Sequence, residues 1–310
     1  MEIGIGAPVA GAWAGPAQLA RLGALAEELG YSSLWTFQRL LVPPDRSGDA
    51  VYHSVLDPLL ALAYAAAHTS RVRLGVAVVN LPFISPTYLA KQASTLDVLS
   101  DGRLDLGLGL GWSPLEFEAT GASTARRGAR AEEYLAVLRT LWSGPGPVSY
   151  RGEFYSVPES RMDPQPVQPS GPPILLGGSV PAALARAGRL ADGWMSRSGT
   201  RIARIAEEIA VVRTAAEKAG RDPDALRIVC RGVVRYDPSG KGTADSHGER
   251  LRLSGSAERI REDAAWLGEQ GVTDLFYDLN WDPRIGSPTA DRASAVERGE
   301  EIIRALAPVS

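Results

Sequence analysis

The sequence predicts a single closed (β/α)8 barrel of the TIM type. Short apolar runs alternate with amphipathic helical patterns along the whole chain, and eight of each can be counted. No low-complexity linker or compositional break divides the 310 residues, so one barrel with rim insertions accounts for the length better than two domains.

The alternation opens with the run Ile3 to Ala7, followed by a helical pattern with Pro16 in its first turn. Leu19, Leu22, Leu25 and Leu29 share one face of that helix, and Gly30 terminates it. Ser33 to Phe37 reads as strand and Leu56 to His68 as helix; Val72 to Val79 and Thr87 to Leu99 form the third pair, Leu104 to Leu110 and Ala129 to Trp142 the fourth. The pattern resumes with Ile174 to Leu176 and Ala182 to Leu190, then Gly193 to Ser196 and Ile202 to Ala219. Leu226 to Val234 with Glu258 to Glu269, and Thr273 to Leu279 with Arg292 to Leu306, complete it. Three connections exceed the usual length of about 2–6 residues: Arg39 to Val55, Ser143 to Pro173 and Tyr236 to Gly255. The first and third follow strands and belong to the C-terminal rim, where barrels build their sites. The second follows a helix, and Val148 to Tyr155 within it reads as a small β-hairpin.

Composition excludes several classes of function. Hydrophobic residues at 45% and charged residues at 22% describe a globular chain with a sizeable core. The net charge of −3 offers no footprint for nucleic acid or an anionic membrane. No apolar run is long enough to span a bilayer and the start lacks a signal-peptide pattern, so a cytoplasmic protein is expected. Cys230 is the single cysteine, and His53, His68 and His247 do not stand at metal-ligand spacing; no metal site is expected.

Chemistry concentrates on the strands. In the third, Val72, Leu74, Val76 and Val78 alternate with Gly75 and Ala77. In the fourth, Leu104, Leu106, Leu108 and Leu110 alternate with Asp105, Gly107, Gly109 and Gly111. Bulky residues facing the helices would leave an inner face of glycine and alanine, which suits either a flat ligand near the rim or tight packing at a barrel taper. The segment from Gly107 to Trp112 fails the dinucleotide fingerprint, whose third glycine would be Trp112. Gly177, Gly178 and Ser179 run from a strand into a helix. Ser179 is either a simple N-cap or part of an anion site, and the neighbouring Ser196, Arg197 and Ser198 favour a phosphate. No nucleophile elbow exists, Cys230 lies in an apolar strand, and Glu116 and Glu118 read as solvated. Few acid–base groups beside a flat slot and a phosphate grip point to a cofactor that supplies the chemistry.

Several segments together resemble the luciferase-like monooxygenase superfamily, in its branch of deazaflavin (coenzyme F-420) dependent oxidoreductases. They are Leu34-Trp35-Thr36, Thr69 to Val76, Pro86 to Gln92, Thr95 to Arg103, Gly107 to Trp112 with Glu116-Phe117, and Pro172 through Trp194. The resemblance covers about residues 2 to 200. It implies a barrel, usually dimeric, that holds FMN or coenzyme F-420 non-covalently. It places the ring against Ala77-Val78, joined by a non-prolyl cis peptide in many relatives, with Phe37, Asn80, Gly109, Gly111 and Trp112 around it. The phosphate falls to Gly177, Gly178, Ser179 and Ser196 to Ser198.

Two departures qualify the resemblance. Phe37-Gln38 stands where relatives commonly carry Asp-His, and glutamine does not titrate. Trp112 occupies the region of a glutamate in sugar-phosphate dehydrogenases, which speaks against sugar oxidation by that mechanism. The leading expectation is hydride transfer between coenzyme F-420 and a small, fairly apolar substrate, with Gln38 hydrogen-bonding near the ring and a proton from solvent, Tyr52 or His53. An FMN-dependent monooxygenase served by a separate reductase is the alternative; a non-catalytic flavin- or deazaflavin-binding barrel is the second. A homodimer is expected in each case.

Overall fold

A computed structural model describes residues 1–46, 48–244, 248 and 250–308. Eight parallel strands close into a barrel: β1 (Glu2–Gly6), β2 (Ser33–Thr36), β3 (Arg73–Asn80), β4 (Leu104–Gly109), β5 (Ile174–Gly177), β6 (Gly193–Met195), β7 (Arg227–Val233) and β8 (Asp274–Asp278). Neighbours in the ring follow chain order, and β8 pairs with β1 through Glu2–Asp274 and Ile5–Tyr277.

The described residues form ten helices: α1 (Pro16–Glu28), α2 (Pro58–Ala66), α3 (Pro86–Leu99), α4 (Pro114–Thr120), α5 (Arg127–Leu141), α6 (Pro181–Leu190), α7 (Ile205–Lys218), α8 (Ala257–Glu269), α9 (Pro283–Gly286) and α10 (Arg292–Ala305). Six of them begin on proline, whose fixed φ and missing N–H suit the first helical position. Side chains of Asp57, Ser85, Ser256 and Asp291 cap α2, α3, α8 and α10. The expected helix Leu56 to His68 is shorter at both ends, and α4 and α9 were not foreseen. Within Ser143 to Pro173 the hairpin pairs Val148–Arg151 with Ser156–Ser160, so residues through Tyr155 make its first strand and turn, and the second strand follows them. In the third insertion Arg235–Tyr236 pairs with Ser254–Gly255; part of that segment, His247 included, lies outside the described residues.

Alternation along each strand sorts the barrel into an outer and an inner face. Leu74, Val76, Leu104, Leu106, Leu108, Ile228 and Cys230 join the helices in one large core. The inner face stacks in layers. At the bottom, Arg73 and Arg227 meet the fully buried Asp105 at 2.5 and 2.7 Å, and Arg227 also meets Asp274 at 2.5 Å. Above them Trp35 stacks on Phe276, centroids 5.1 Å apart, among Leu175, Val229 and Met195. The glycines of β3 and β4 are thereby divided. A Cβ on Gly75 would fall inside the Trp35 ring and one on Gly107 would strike the Val76 carbonyl oxygen, so these two serve packing at the taper, not a ligand.

The expected alternation of β3 also breaks. Its register against β4 shifts between Val76 and Val79, and the Ala77–Val78 peptide is cis. Val79 therefore faces the outer core, while Val78 turns inward with Ala77, against the expectation that it would lie with Val76.

The third insertion is pinned by one carboxylate. Burial alone would raise the pKa of Asp263, but hydrogen bonds from Arg250, Arg252 and the Leu253 N–H hold it below the ordinary aspartate value. A depressed carboxylate contributes stability above its unfolded pKa and loses it as pH falls through the folded one. Acidification below about pH 4 should accordingly release this segment first, seen as early hydrogen exchange at 250–255; Asp263→Asn should show that exchange already at neutral pH. Gly107→Ala is expected to cost about 1–3 kcal/mol in urea unfolding through overpacking. Gly146→Ala, with nothing within 4 Å of the new methyl, should change little.

Candidate active site

Above the Trp35 layer the strands' C-terminal ends open into a cleft of about 1070 Å³. Ala77, Val78, Gly109 and Gly177 form its floor. Gly111, Trp112 and the first insertion make one wall, and the β5 and β6 ends with Ser179, Ser196, Arg197 and Ser198 make the opposite rim. Phe37, Gln38, Tyr52, Asn80 and Gly178 line it as well. Of the candidate site residues only His53 does not line it: it directly follows the 3₁₀ turn Ala50–Tyr52, and its Nε2 is buried with no hydrogen-bond partner among the described residues.

Gln38 is more committed than expected. Its Oε1 accepts from the Asn80 backbone N–H at 2.9 Å and from Asn80 Nδ2 at 3.1 Å, tying the residue just before the first insertion to the end of β3. Ser179 does not cap α6; the cap position is Val180, with no side-chain bond, so Ser179 is left to the cleft rim. Gly178 has φ +140°, a left-handed setting that disfavours any Cβ, and its carbonyl accepts from Trp194 Nε1 at 2.8 Å. Ser196 Oγ accepts from the Arg231 backbone N–H at 2.9 Å.

Three residues that sequence reasoning missed, Arg39, Arg231 and Trp281, complete the walls, and a fourth, Glu116, braces them from behind the lining. Glu116, expected to be solvated, is 2% exposed. It accepts from the backbone N–H groups of Leu40 and Leu41 at 2.8 and 3.3 Å and lies 3.2 Å from Arg39. Arg39 is thereby held between two rings, 4.2 Å from the Tyr52 centroid and 4.5 Å from that of Trp112. Trp281 meets Tyr52 edge-on at 5.5 Å. Arg231 rises from β7 to pair with Asp278 at 2.6 Å and to donate to the Ala77 carbonyl at 3.2 Å. A charged residue inside the run Ile228 to Val233 was the available signal for Arg231; Arg39 and Trp281 had none.

The electrostatics favour anions. Six arginines line the cleft against one carboxylate, Asp49. Arg39, Arg186 and Arg231 pair with Glu116, Glu132 and Asp278. Arg127, Arg197 and Arg235 form no ion pair among the described residues. Also among the described residues, no cluster of His, Cys, Asp or Glu is placed to hold a metal, and no helix is long and apolar enough to cross a membrane. Cys230 faces the outer core, where burial pushes its thiol up to about 12, so it is no nucleophile.

A family model described as luciferase-like monooxygenase matches residues 2–277. An uncharacterised protein of Mycobacterium tuberculosis is 34% identical over 281 residues, covering 86% of this chain and 87% of that protein. An F-420-dependent glucose-6-phosphate dehydrogenase of Microbacterium testaceum is 31% identical over 228 residues, covering 72% and 66%. Among solved structures, a monooxygenase from Streptomyces bottropensis superposes with a TM-score of 0.78 at 25% identity, covering 98% of both chains.

The Gln38–Asn80 link predicts a structural cost at this position. Gln38→Leu leaves two donors without their acceptor and should lose about 1–3 kcal/mol in urea unfolding. Gln38→Glu keeps an acceptor and should lose clearly less.

Proposed function

The chain belongs to the luciferase-like monooxygenase family, and from that premise we propose that it is an oxidoreductase moving hydride between the deazaflavin coenzyme F-420 and a small, fairly apolar substrate. The observation that carries the reading is the division of the cleft: a floor without polar side chains at Ala77, Val78 and Gly109 lies below a rim carrying Arg197, which forms no ion pair among the described residues. A relative named as F-420-dependent, 31% identical over 72% of this chain, supports the choice of cofactor.

The residues fit such a group. Gly177, Gly178 and Ser179 with Arg197 and Ser198 would hold its phosphate, and Ala77-Val78 with Gly109 and Gly111 would carry its ring. When bound, the cofactor supplies or accepts the hydride. The protein's part is to orient, to exclude water and to manage a proton. Gln38 fixes Asn80 and the floor's edge. Tyr52, set between Phe37, Trp281 and Arg39, is the phenol left to donate or hold a proton, since His53 lies off the cleft. Trp112 in place of an acidic group argues against the sugar chemistry named for that relative.

An FMN monooxygenase with a separate reductase is the second reading, supported by the solved monooxygenase at 25% identity. A barrel that binds the cofactor without turnover is the third. A homodimer belongs to all three, and light scattering tests it. Titrating purified protein with coenzyme F-420 and with FMN decides between the first two. Tighter binding of coenzyme F-420, and reoxidation of its reduced form by enones or quinones, are expected; FMN binding alone would overturn the first reading. Arg197→Gln should weaken cofactor binding roughly tenfold, the equivalent of one charge-assisted hydrogen bond.

A further inference from the structure

Of the three cleft arginines that form no ion pair among the described residues, two have other employment. Arg197 belongs to the phosphate grip, and Arg127 donates from Nη1 to the Gly111 carbonyl at 2.9 Å. Arg235 is the third. It is exposed, it lines the cleft, and among the described residues its side chain makes no ion pair, hydrogen bond or ring contact. Asp49, the one carboxylate of the lining, is not paired with it.

The chain around Arg235 fixes where this charge stands. Arg231, Val233 and Arg235 follow one another at intervals of two residues and all line the cleft, while Cys230 and Val234 join the outer core. The alternation of β7 thus runs on past its last residue. The neighbouring β6 ends sooner, at Met195, and Ser196 already lies beside Val229 and Arg231. Four residues of extended chain, about 13 Å, carry Arg235 beyond Arg231 and so beyond the level at which Arg197 leaves the barrel. Its backbone is held on both sides. The Val234 N–H donates to the Asp278 carbonyl at 3.3 Å, the Arg235 N–H to the Leu253 carbonyl at 3.0 Å, and Arg298 Nη2 to the Tyr236 carbonyl at 3.0 Å. Partial removal from water also lowers the pKa of the Arg235 guanidinium from its ordinary value, the mark of a charge that lacks a counterion. A fixed cation without an anion therefore stands at the mouth, on the same wall as the apolar Val233 and Trp281.

We propose, resting on the hydride-transfer reading above, that the substrate is an organic acid whose carboxylate pairs with Arg235 while its apolar, unsaturated body lies along Val233 and Trp281. The cofactor's phosphate keeps the separate grip at Arg197. The expectation of a fairly apolar substrate is thereby refined to an apolar body with one charged end. A guanidinium can meet a carboxylate through two parallel N–H···O bonds, so Arg235 selects the acid and also decides which end of the molecule faces outward. It is a specificity residue, set away from the Ala77-Val78 floor.

Isothermal titration with 2-naphthylacetate and 2-naphthylacetamide, alike in shape and different in charge, tests this without turnover. Wild type should bind the acid at least about tenfold more tightly than the amide. Arg235→Gln should narrow that ratio to about twofold, and Arg235→Lys, which keeps the charge, should restore most of it. The side chain has no partner to lose, so both variants should fold. Arg197→Gln should leave the ratio intact, as should saturating coenzyme F-420 in the cell. Equal binding of the two probes by wild type, or a preference lost in Arg197→Gln and kept in Arg235→Gln, overturns the proposal. A carboxylate of the cofactor is the other source of the same chemistry: if Arg235→Gln weakens coenzyme F-420 about tenfold and leaves the probe ratio unchanged, the proposal is overturned as well. Failure of the cofactor reading looks different, since coenzyme F-420 then does not bind while the preference that depends on Arg235 persists.

Discussion

The stacking of Trp35 on Phe276 across the barrel axis sets the level of everything above it. Two large rings fit there only because Gly75 gives up its side chain, and Trp35 Nε1 is fixed by a 2.8 Å bond to Ser33 Oγ. Below them the layer of Asp105, Arg73, Arg227 and Asp274 closes the bottom with paired charge. Above them only the last residues of each strand remain to meet a ligand. The plug stands high in the barrel, which is why the cleft floor consists of backbone, Ala77, Val78 and glycine.

Charge is arranged with equal economy. Buried arginines at the wall each meet a carboxylate that is itself held in place: Glu116 by the N–H groups of Leu40 and Leu41, Asp278 by Asn280. A buried ion pair of this kind is weak support for stability but strong support for position, since breaking either partner strands the other. The first insertion, which carries Arg39 and Tyr52, is thus fastened at Glu116 and, through Gln38 just before it, at Asn80, and presents its rings at a fixed angle.

Much of this was legible in the sequence where side-chain period and strand geometry agree. The leucines of β4 point outward as their spacing requires, prolines open helices where the apolar period begins, and Cys230 is buried as its neighbours suggest. What was illegible depended on events with no local signature. The register shift in β3 turns Val78 inward; the resemblance places a cis peptide at Ala77-Val78, where the structure has one, but no residue type announces the shift. Glu116 looks like any acidic residue of a short helix until the loop at 40–41 folds over it. Ser179 has the composition of a cap, but the helix starts one residue later. The glycines of β3 and β4 looked uniform in sequence and proved to serve different neighbours: Gly75 a tryptophan, Gly107 a carbonyl, Gly109 the Val78 side chain beside the cleft.

The closed lower half of the barrel also governs traffic. A chamber sealed below by an ion-paired layer and an aromatic stack has one door, so whatever lies deepest enters first and departs last. On the function proposed above, two molecules reacting there would have to queue: a ring resting on the Ala77-Val78 floor would be covered by a guest lying along Tyr52 and Trp281, and would exchange only after that guest had gone. The order of arrivals and departures in such a chamber is set by architecture before any affinity is considered.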